Sequence, residues 1–344
     1  MVLGGILPDT PVVNVAVIVV ATAVVWLGSG WLEGSADELA GHYGLPPVVQ
    51  GSIVVAVGSS IPELASVIVS ALAGAFGLGV GAVVGSAIFN ILVIPGVSGI
   101  AADGLETNRE IVYKEAQFYM VAVAALVVTF ALAVIYAPVG EPGSLNGRIT
   151  RPLALLPLAL YALYLFIQWQ DVGDYESEAS DASNVARQWG KLVAGLALIL
   201  VAVESLVGSI ESLAATAGVP EFLAGVTVLA AATSLPDALV SVRSARDGGG
   251  LTSLGNVLGS NIFDLLVVIP LGVLLVGSVT VEFAVAVPMM GVLTAATVAL
   301  FAVTRTDLSL TRTESVGLVV AYAVFVAWIV AETLGFIGLI RVGG

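Results

Sequence analysis

The sequence predicts an all-α polytopic membrane protein, with ten transmembrane helices arranged as two inverted five-helix repeats. Composition indicates a membrane protein, because 58% of the 344 residues are hydrophobic and only 10% are charged, against about 25% charged residues in soluble domains. Internal similarity indicates the repeats, because the chain matches itself when it is shifted by 174 residues. We expect a chain embedded in the lipid bilayer, with no sizeable soluble domain.

Ten apolar runs mark the predicted spans, since about 18 apolar residues are needed to cross the hydrocarbon core. They are residues 11–32, 46–73, 77–101, 116–137, 152–169, 190–210, 219–245, 251–277, 283–303 and 315–335. The longest polar break, residues 170–189, is acidic and Ser-rich, which is typical of an exposed linker. This break separates a first repeat, residues 1–169, from a second repeat, residues 190–344.

The distribution of Lys and Arg predicts the orientation of the spans, because basic residues are enriched in cytoplasmic loops. With the N-terminus outside, eight of the eleven basic residues are cytoplasmic: Arg109, Lys114, Arg187, Lys191, Arg243, Arg246, Arg305 and Arg312. Arg148, Arg151 and Arg341 are then extracytoplasmic. We therefore expect a multi-pass plasma-membrane protein with both termini extracytoplasmic and a cytoplasmic linker.

Charge and cysteine content exclude several other classes. The net charge is −14, which argues against nucleic acid as a partner. The chain has no cysteine, so disulfides and thiolate metal sites are excluded. We expect no cofactor, and we expect the chain to function as a monomer.

The internal repeat extends over about sixty residues of each half in one register. GSADELAGHYGLPPVVQGSIVVAVGSSIPEL, which begins at Gly34, matches GSIESLAATAGVPEFLAGVTVLAAATSLPDA, which begins at Gly208. In the next spans, GAVVGSAIFNILV (81–93) matches GNVLGSNIFDLLV (255–267). Each copy has five spans, an odd number, so the second copy is inserted upside down. Inverted repeats are typical of secondary transporters, whose sites lie between the repeats near the midplane.

The repeat places a proline and a carboxylate at the same point of each half: Pro62 with Glu63, and Pro236 with Asp237. A carboxylate within the membrane costs about 2.5–3.5 kcal/mol on insertion scales. Proline removes one backbone donor and clashes with the carbonyl four residues earlier. We therefore expect disturbed carbonyls near Gly58 and near Ala232, which are tolerable where they line a cavity or bind an ion.

Helical spacing groups the polar side chains of these two regions, 51–96 and 225–270, by face. Ser59, Ser60 and Glu63 share one face, and so do Thr233, Ser234 and Asp237. In the helices that follow, Ser86 pairs with Asn90, and Ser260 pairs with Asp264. These ligands are all oxygens, which favours a hard cation, and Ca²⁺ accepts such a mixed set more readily than Mg²⁺. The three carboxylates carry −3 when ionised, a charge that three Na⁺ would neutralise and that one Ca²⁺ would reduce to −1.

These motifs resemble the two alpha repeats of the calcium/cation antiporter superfamily, the family of sodium/calcium exchangers. GSSIPE with GSAIFN, and ATSLPD with GSNIFD, are the stretches that carry the resemblance. The resemblance implies that Glu63 and Asp237 hold Ca²⁺, and that Na⁺ sites add further side chains and carbonyls. These additional groups are Ser59, Ser60, Ser86, Asn90, Thr233, Ser234, Ser260 and Asp264, with the backbone carbonyls of Ala56 and Ala230. It also implies alternating access, in which the first and sixth helices slide over the other eight.

Three alternatives to Na⁺/Ca²⁺ exchange remain at this point. A Ca²⁺/H⁺ antiporter is compatible with protonatable Glu63 and Asp237. A potassium-dependent exchanger is compatible with Asp264, which resembles the potassium-dependent branch. An intramembrane aspartyl protease would use Asp237 and Asp264 as a carboxylate pair, but its GxGD signature is absent from the sequence.

Overall fold

The computed structural model describes residues 8–45, 54, 56–140, 145–170 and 184–338. The gaps contain parts of several predictions: the beginning of the 46–73 span, most of the 170–189 linker, and Arg341 near the C-terminus. The described chain is a bundle of long helices joined by short loops, with two small β-ladders at the helix ends.

The first repeat contains five helices, of which the second is divided into two segments. They are α1 (Pro11–His42), α2 (Ala56–Ser59 followed by Ile61–Ala73), α3 (Phe76–Ala101), α4 (Ile111–Tyr136) and α5 (Arg151–Gln170). The second repeat continues with α6 (Val185–Ala217), α7 (Glu221–Arg246), α8 (Gly250–Val276), α9 (Phe283–Arg305) and α10 (Arg312–Thr333). Nine of these helices in the described part of the chain are long and apolar enough to span a membrane, and Ile61–Ala73 is a shorter apolar helix.

These helices confirm the predicted fold class, but α1 and α6 extend well beyond the predicted spans 11–32 and 190–210. Their added turns carry polar residues, which lowered the hydropathy without breaking the helices. At the start of α6, Asn184 accepts a hydrogen bond from the Arg187 backbone N–H at 3.0 Å and caps the helix. The last five residues assigned to the linker, 185–189, are therefore helical.

Two antiparallel strand pairs connect loops of opposite repeats, a feature that hydropathy does not predict. Strand β1 (Leu105–Glu106) follows α3 and pairs with β4 (Ser309–Leu310), which precedes α10. Strand β3 (Ser278–Glu282) follows α8 and pairs with β2 (Asn146–Thr150), which precedes α5. Each ladder thus joins the loop after the third helix of one repeat to the loop after the fourth helix of the other, as two-fold related repeats require.

Helices α3 and α8 form the centre of the bundle. In the most apolar window of each, 89% of residues are buried inside the protein, against 17% for α10. Glycines permit the closest approach: a Cβ on Gly81 or Gly85 of α3 would clash with the carbonyl oxygens of Phe222 and Val226 on α7. A Cβ on Gly225 would clash with the Leu78 carbonyl oxygen. The two repeats therefore meet by backbone contact beside the polar motifs.

Helices α1 and α6 form a closely packed pair at the side of this centre. They cross at two glycines, since a Cβ on Gly195 would lie 2.7 Å from the Gly28 carbonyl oxygen. At one end, Asp9 accepts hydrogen bonds from Asn14 Nδ2 at 2.8 Å and from Ser212 Oγ at 2.7 Å. These bonds lower the pKa of Asp9 and connect the beginning of α1 to α6.

Candidate cation-binding site

The break in α2 places Glu63 at the beginning of a helix segment. The first segment ends at Ser59, Ser60 adopts a turn with φ −85° and ψ 2°, and the second segment begins at Ile61. Pro62 lies in the first turn, where the missing N–H would have no intrahelical acceptor. Glu63 is also in this first turn, and it is only 1% exposed. The predicted interruption is therefore confirmed in the first repeat.

The second repeat accommodates its corresponding proline, Pro236, in a different way. Pro236 lies inside the continuous helix Ala230–Arg246, and the irregularity appears upstream as a π-helical turn over Gly225–Leu229. The π turn inserts an extra residue into the helix, so α7 contains a local irregularity without a break. A second π turn, Asp264–Val268, begins at a predicted ligand. The disturbance that we expected near Ala232 is therefore wrong in its position, because Ala230–Arg246 is a continuous helix around Pro236 and the irregularity lies upstream of it.

Glu63 takes part in side-chain contacts between the two repeats. Its Oε1 accepts hydrogen bonds from Ser86 Oγ at 3.1 Å and from Ser234 Oγ at 3.3 Å. The two hydroxyl oxygens are themselves 2.7 Å apart. All three side chains are buried, so the structure places one carboxylate and two hydroxyls from three helices in a single protected cluster.

A second contact repeats this arrangement across the pseudo-two-fold axis. Ser60 donates a hydrogen bond to the Ser260 carbonyl oxygen at 3.4 Å. Ser60 and Ser260 are the repeat counterparts of Ser234 and Ser86 at the offset of 174 residues. The Asp264 side chain also lies within hydrogen-bonding reach of Ser60. A serine of α2 thus contacts α8, as its counterpart on α7 contacts α3.

The three predicted carboxylates are buried close enough to interact electrostatically. Asp237 is 4% exposed and Asp264 is 1% exposed, and each interacts with Glu63. Burying like charges together is unfavourable unless cations or protons compensate them. Three oxygens have no hydrogen-bond partner among the described residues and are therefore available as ligands: Glu63 Oε2, Asp264 Oδ1 and Asn90 Oδ1.

Asn90 is held by a residue that the sequence interpretation missed. Asn90 Nδ2 donates to Asn261 Oδ1 at 3.0 Å, and Asn261 Nδ2 donates to the Ala87 carbonyl oxygen at 3.3 Å. The repeat comparison gave no signal for Asn261, because its counterpart is Ala87. The signal was its place within the motif GSNIFD, directly after Ser260. This amide pair fixes Asn90 so that its own Oδ1 is left without a partner.

The remaining predicted ligands make local contacts. The hydroxyls of Ser59 and Thr233 donate to carbonyl oxygens of their own helices, which include those of Ala56 at 3.1 Å and Ala230 at 3.3 Å. Ser260 Oγ donates to the Val257 carbonyl oxygen at 3.2 Å. These five predicted ligands lie in α2, α7 and α8, and the bonds hold their oxygens within their own helices.

The chemistry of the cluster is that of a mixed oxygen site. Among the residues that the structure describes, no three Asp, Glu, His or Cys side chains are grouped closely enough to form a metal centre alone. Hydroxyl, amide and carbonyl oxygens supply the other donors around Glu63 and Asp237. Carboxylates combined with such neutral oxygens suit hard cations.

Another buried carboxylate close to the cluster was also missed. Glu33 of α1 is 9% exposed and interacts electrostatically with Glu63 and Asp237. Its repeat counterpart is Val207, so the comparison of the two halves gave no signal for it. Only the packing of α1 against α2 and α7 brings it to this place.

Comparison with known proteins gives one family and one fold. Residues 13–170 and 187–331 match the family model described as sodium/calcium exchanger protein. The sodium/calcium exchanger MaX1 of Methanosarcina acetivorans is 27% identical over 289 residues, which cover 75% of this chain and 82% of that protein. The inner membrane protein YrbG of Escherichia coli is 27% identical over 272 residues, covering 76% of this chain and 79% of that protein. A solved structure of the sodium-calcium exchanger NCX_Mj is 23% identical, with a TM-score of 0.64, and covers 92% of this chain and 99% of that chain.

Proposed function

Because the chain belongs to the sodium/calcium exchanger protein family, we propose that it is a secondary antiporter that exchanges Na⁺ for Ca²⁺ by alternating access. The observation that supports this proposal most directly is the cluster in which Glu63 binds the hydroxyls of Ser86 and Ser234. It joins both inverted repeats in a buried, oxygen-rich place, where transporters of this architecture bind their ions. The family consists of transporters, so the protease alternative is not retained.

The proposed ligands follow from charge and donor type. Glu63 and Asp237 bind Ca²⁺, since two carboxylates neutralise one divalent cation. Na⁺ shares these carboxylates and uses the neutral oxygens together with Asp264. The neutral oxygens are those of Ser59, Ser60, Ser86, Asn90, Thr233, Ser234 and Ser260, with the carbonyls of Ala56 and Ala230. Ca²⁺ and Na⁺ then compete for the same carboxylates, and this competition is the condition for exchange.

Competition for a charge of −3 makes the proposed cycle electrogenic. Three Na⁺ neutralise Glu63, Asp237 and Asp264, whereas one Ca²⁺ leaves one negative charge in the site. If three Na⁺ exchange for one Ca²⁺, one net charge crosses the membrane in each cycle. The membrane potential then contributes about 2.3 kcal/mol per 100 mV.

The α1–α6 pair is the moving part in this proposal. Its two helices cross at Gly28 and Gly195 and are connected by Asp9 at one end, which favours movement as a unit. The strand ladders join the other helices of the two repeats, which favours a stationary frame. Sliding of α1 and α6 along α2 and α7 would open the site to one side at a time.

The test is ⁴⁵Ca²⁺ uptake into proteoliposomes that contain the purified full chain, with Na⁺ inside and none outside. We expect uptake that requires the Na⁺ gradient and is increased by an inside-positive change in potential, as net outward movement of positive charge is coupled to Ca²⁺ entry. Absence of gradient-dependent uptake by folded protein contradicts the proposal. Proteoliposomes with Glu63→Gln provide the matched control for leak.

A Ca²⁺/H⁺ antiporter is the second candidate, and it is favoured by the buried, mutually interacting carboxylates Glu63 and Asp237, which a proton can neutralise. The same vesicles separate the candidates, because an imposed pH gradient without Na⁺ drives uptake only in that case. An additional K⁺ gradient tests the potassium-dependent alternative. We place the protein in the plasma membrane with both termini extracytoplasmic, as the distribution of basic residues predicts.

A further inference from the structure

Glu33 is a buried carboxylate that the proposed ion site does not use. It lies in α1, it is 9% exposed, and its Oε1 has no hydrogen-bond partner. Burying a charged oxygen without a partner costs several kcal/mol unless a counter-charge is nearby. The described residues supply no basic ion-pair partner for it. A carboxylate in such a position has to be compensated by a bound cation or by a proton.

The side chain of Glu33 lies against the break in α2. A Cβ on Gly58 would be 3.8 Å from Glu33 Cγ and 3.3 Å from Leu32 Cδ2. Gly58 thus leaves the space that the two α1 side chains occupy, one residue before Ser59. From this place Glu33 interacts electrostatically with Glu63 and with Asp237. It therefore lies beside the break in α2 and within electrostatic range of the two carboxylates that we assign to Ca²⁺.

This charge has no counterpart in the other repeat. The residue at the offset of 174 is Val207, which is buried and apolar. Glu204, the carboxylate of α6 within the predicted span 190–210, corresponds to Gly30 instead. Glu33 therefore adds one negative charge on one side of a pseudo-symmetric site, and that charge is carried by the helix that we propose to move.

We propose that Glu33 is a further cation-binding carboxylate of the transport site, which favours the divalent over the monovalent cation. This inference rests on the proposed function for the identity of the cation, but binding can be measured without transport. Coulomb energy is proportional to the charge of the cation. Glu33 therefore stabilises bound Ca²⁺ about twice as strongly, in free energy, as Na⁺ at the same distance.

The test uses the detergent-purified full chain and equilibrium ⁴⁵Ca²⁺ binding, with Na⁺ as competitor. For Glu33→Gln we expect an increase of about ten-fold in the Ca²⁺ dissociation constant and of about three-fold for Na⁺, the ratio that a doubled charge gives. Glu33→Asp retains the charge and should show a smaller loss. Glu204→Gln is the matched control, since it removes a carboxylate from the partner helix and should leave both constants unchanged.

Thermal unfolding with and without Ca²⁺ gives a second readout, because a residue with a structural role alone would not change the Ca²⁺ dependence of the Tm. Glu33→Gln removes an uncompensated buried charge, so its Tm without Ca²⁺ should be above that of the wild type. Ca²⁺ should raise the Tm of both proteins, but the variant should need a higher Ca²⁺ concentration than the wild type to reach half of that rise. A lower Tm without Ca²⁺, combined with unchanged Ca²⁺ and Na⁺ constants, overturns the proposal. If Glu33→Gln does not fold, wild-type Ca²⁺ and Na⁺ dissociation constants in Glu33→Met, which is also uncharged and of similar length, overturn it as well.

The outcomes separate this inference from the proposed function. Wild-type protein that binds Ca²⁺ but shows no Na⁺-driven uptake contradicts the proposed exchange, while the Glu33 measurement still applies to the binding site. Wild-type protein that exchanges normally, together with Ca²⁺ and Na⁺ constants in Glu33→Gln equal to those of the wild type, contradicts the role of Glu33 alone.

Discussion

The hydroxyl oxygens of Ser86 and Ser234, from opposite repeats, lie 2.7 Å apart, and both contact Glu63 Oε1. These two serines are 148 residues apart in the chain. Their proximity depends on the glycine contacts of α3 with α7, where Gly85 adjoins Ser86 and meets the backbone of Val226. The same contact that joins the two halves of the bundle thus assembles the polar cluster.

Removal of either hydroxyl should weaken cation binding. A hydrogen bond to a charged group contributes about 1.5–3 kcal/mol, so Ser86→Ala and Ser234→Ala should each raise the half-saturating Na⁺ concentration by about ten-fold or more. Because both serines contact Glu63 and each other, the double variant should lose less than the sum. The half-saturating Na⁺ concentration of each single and double variant is measured from Na⁺-dependent ⁴⁵Ca²⁺ flux. Ser66→Ala is the control, since Ser66 only bonds the Pro62 carbonyl oxygen; equal losses in all three variants would contradict the assignment.

Neutralisation of the two central carboxylates should abolish exchange. Glu63→Gln and Asp237→Asn keep the volume of each side chain and remove the charge that we assign to Ca²⁺ binding. We expect loss of flux with a Tm equal to or above that of the wild type, because each change relieves repulsion between buried like charges. Glu106→Gln, at the exposed position of β1, should behave as wild type. Wild-type flux in either central variant would remove that residue from the proposed ligands.

Replacement of Asn261 should affect the site through Asn90. Asn261→Ala removes the acceptor of the Asn90 side-chain amide and leaves buried polar groups unpaired, which costs about 1–3 kcal/mol. We expect a lower Tm and weaker Na⁺ dependence of flux. A double-variant cycle with Asn90→Ala should give a coupling energy of about 0.5–3 kcal/mol. Additive effects of the two substitutions would show that the amide pair does not act as a unit.

Addition of one methyl group should distinguish the glycines at the helix crossing from those at the surface. Gly85→Ala forces a Cβ against the Val226 carbonyl oxygen, and overpacking of this kind costs about 1–3 kcal/mol. Gly291→Ala, on α9, meets nothing within 4 Å and should stabilise the helix by about 0.5–1 kcal/mol. Thermal unfolding should show a lower Tm for Gly85→Ala and a higher Tm for Gly291→Ala than for the wild type. A Gly85→Ala protein as stable as wild type would contradict the close crossing.

The absence of cysteine makes the orientation directly measurable. Glu282 is exposed on β3 and Glu110 is exposed before α4, and the proposed orientation places them outside and inside, respectively. In intact cells, a membrane-impermeant maleimide should label Glu282→Cys and not Glu110→Cys. Both should be labelled after permeabilisation, and the wild-type chain should not be labelled at all. The reverse pattern would invert the orientation.

The sequence alone determined the features that depend on local composition or on comparison of the chain with itself. Apolar runs specified ten spans because the cost of polar groups in lipid acts on every stretch separately. The offset of 174 residues specified the pairing of Glu63 with Asp237 and of Ser60 with Ser234, and an odd number of spans specified inversion. The same comparison passed over Asn261 and Glu33, because their counterparts Ala87 and Val207 are apolar.

Only the tertiary structure decided which side of each helix faces the centre and how each proline is accommodated. Pro62 and Pro236 stand at equivalent positions, yet α2 is interrupted at Ser60 while α7 stays helical and widens upstream. The proline removes one donor in both cases, but packing by different neighbours determines where the chain relieves the clash. Glu33 reaches the site for the same reason: the rotation and neighbours of α1 are set by contacts with distant helices, which no local pattern encodes.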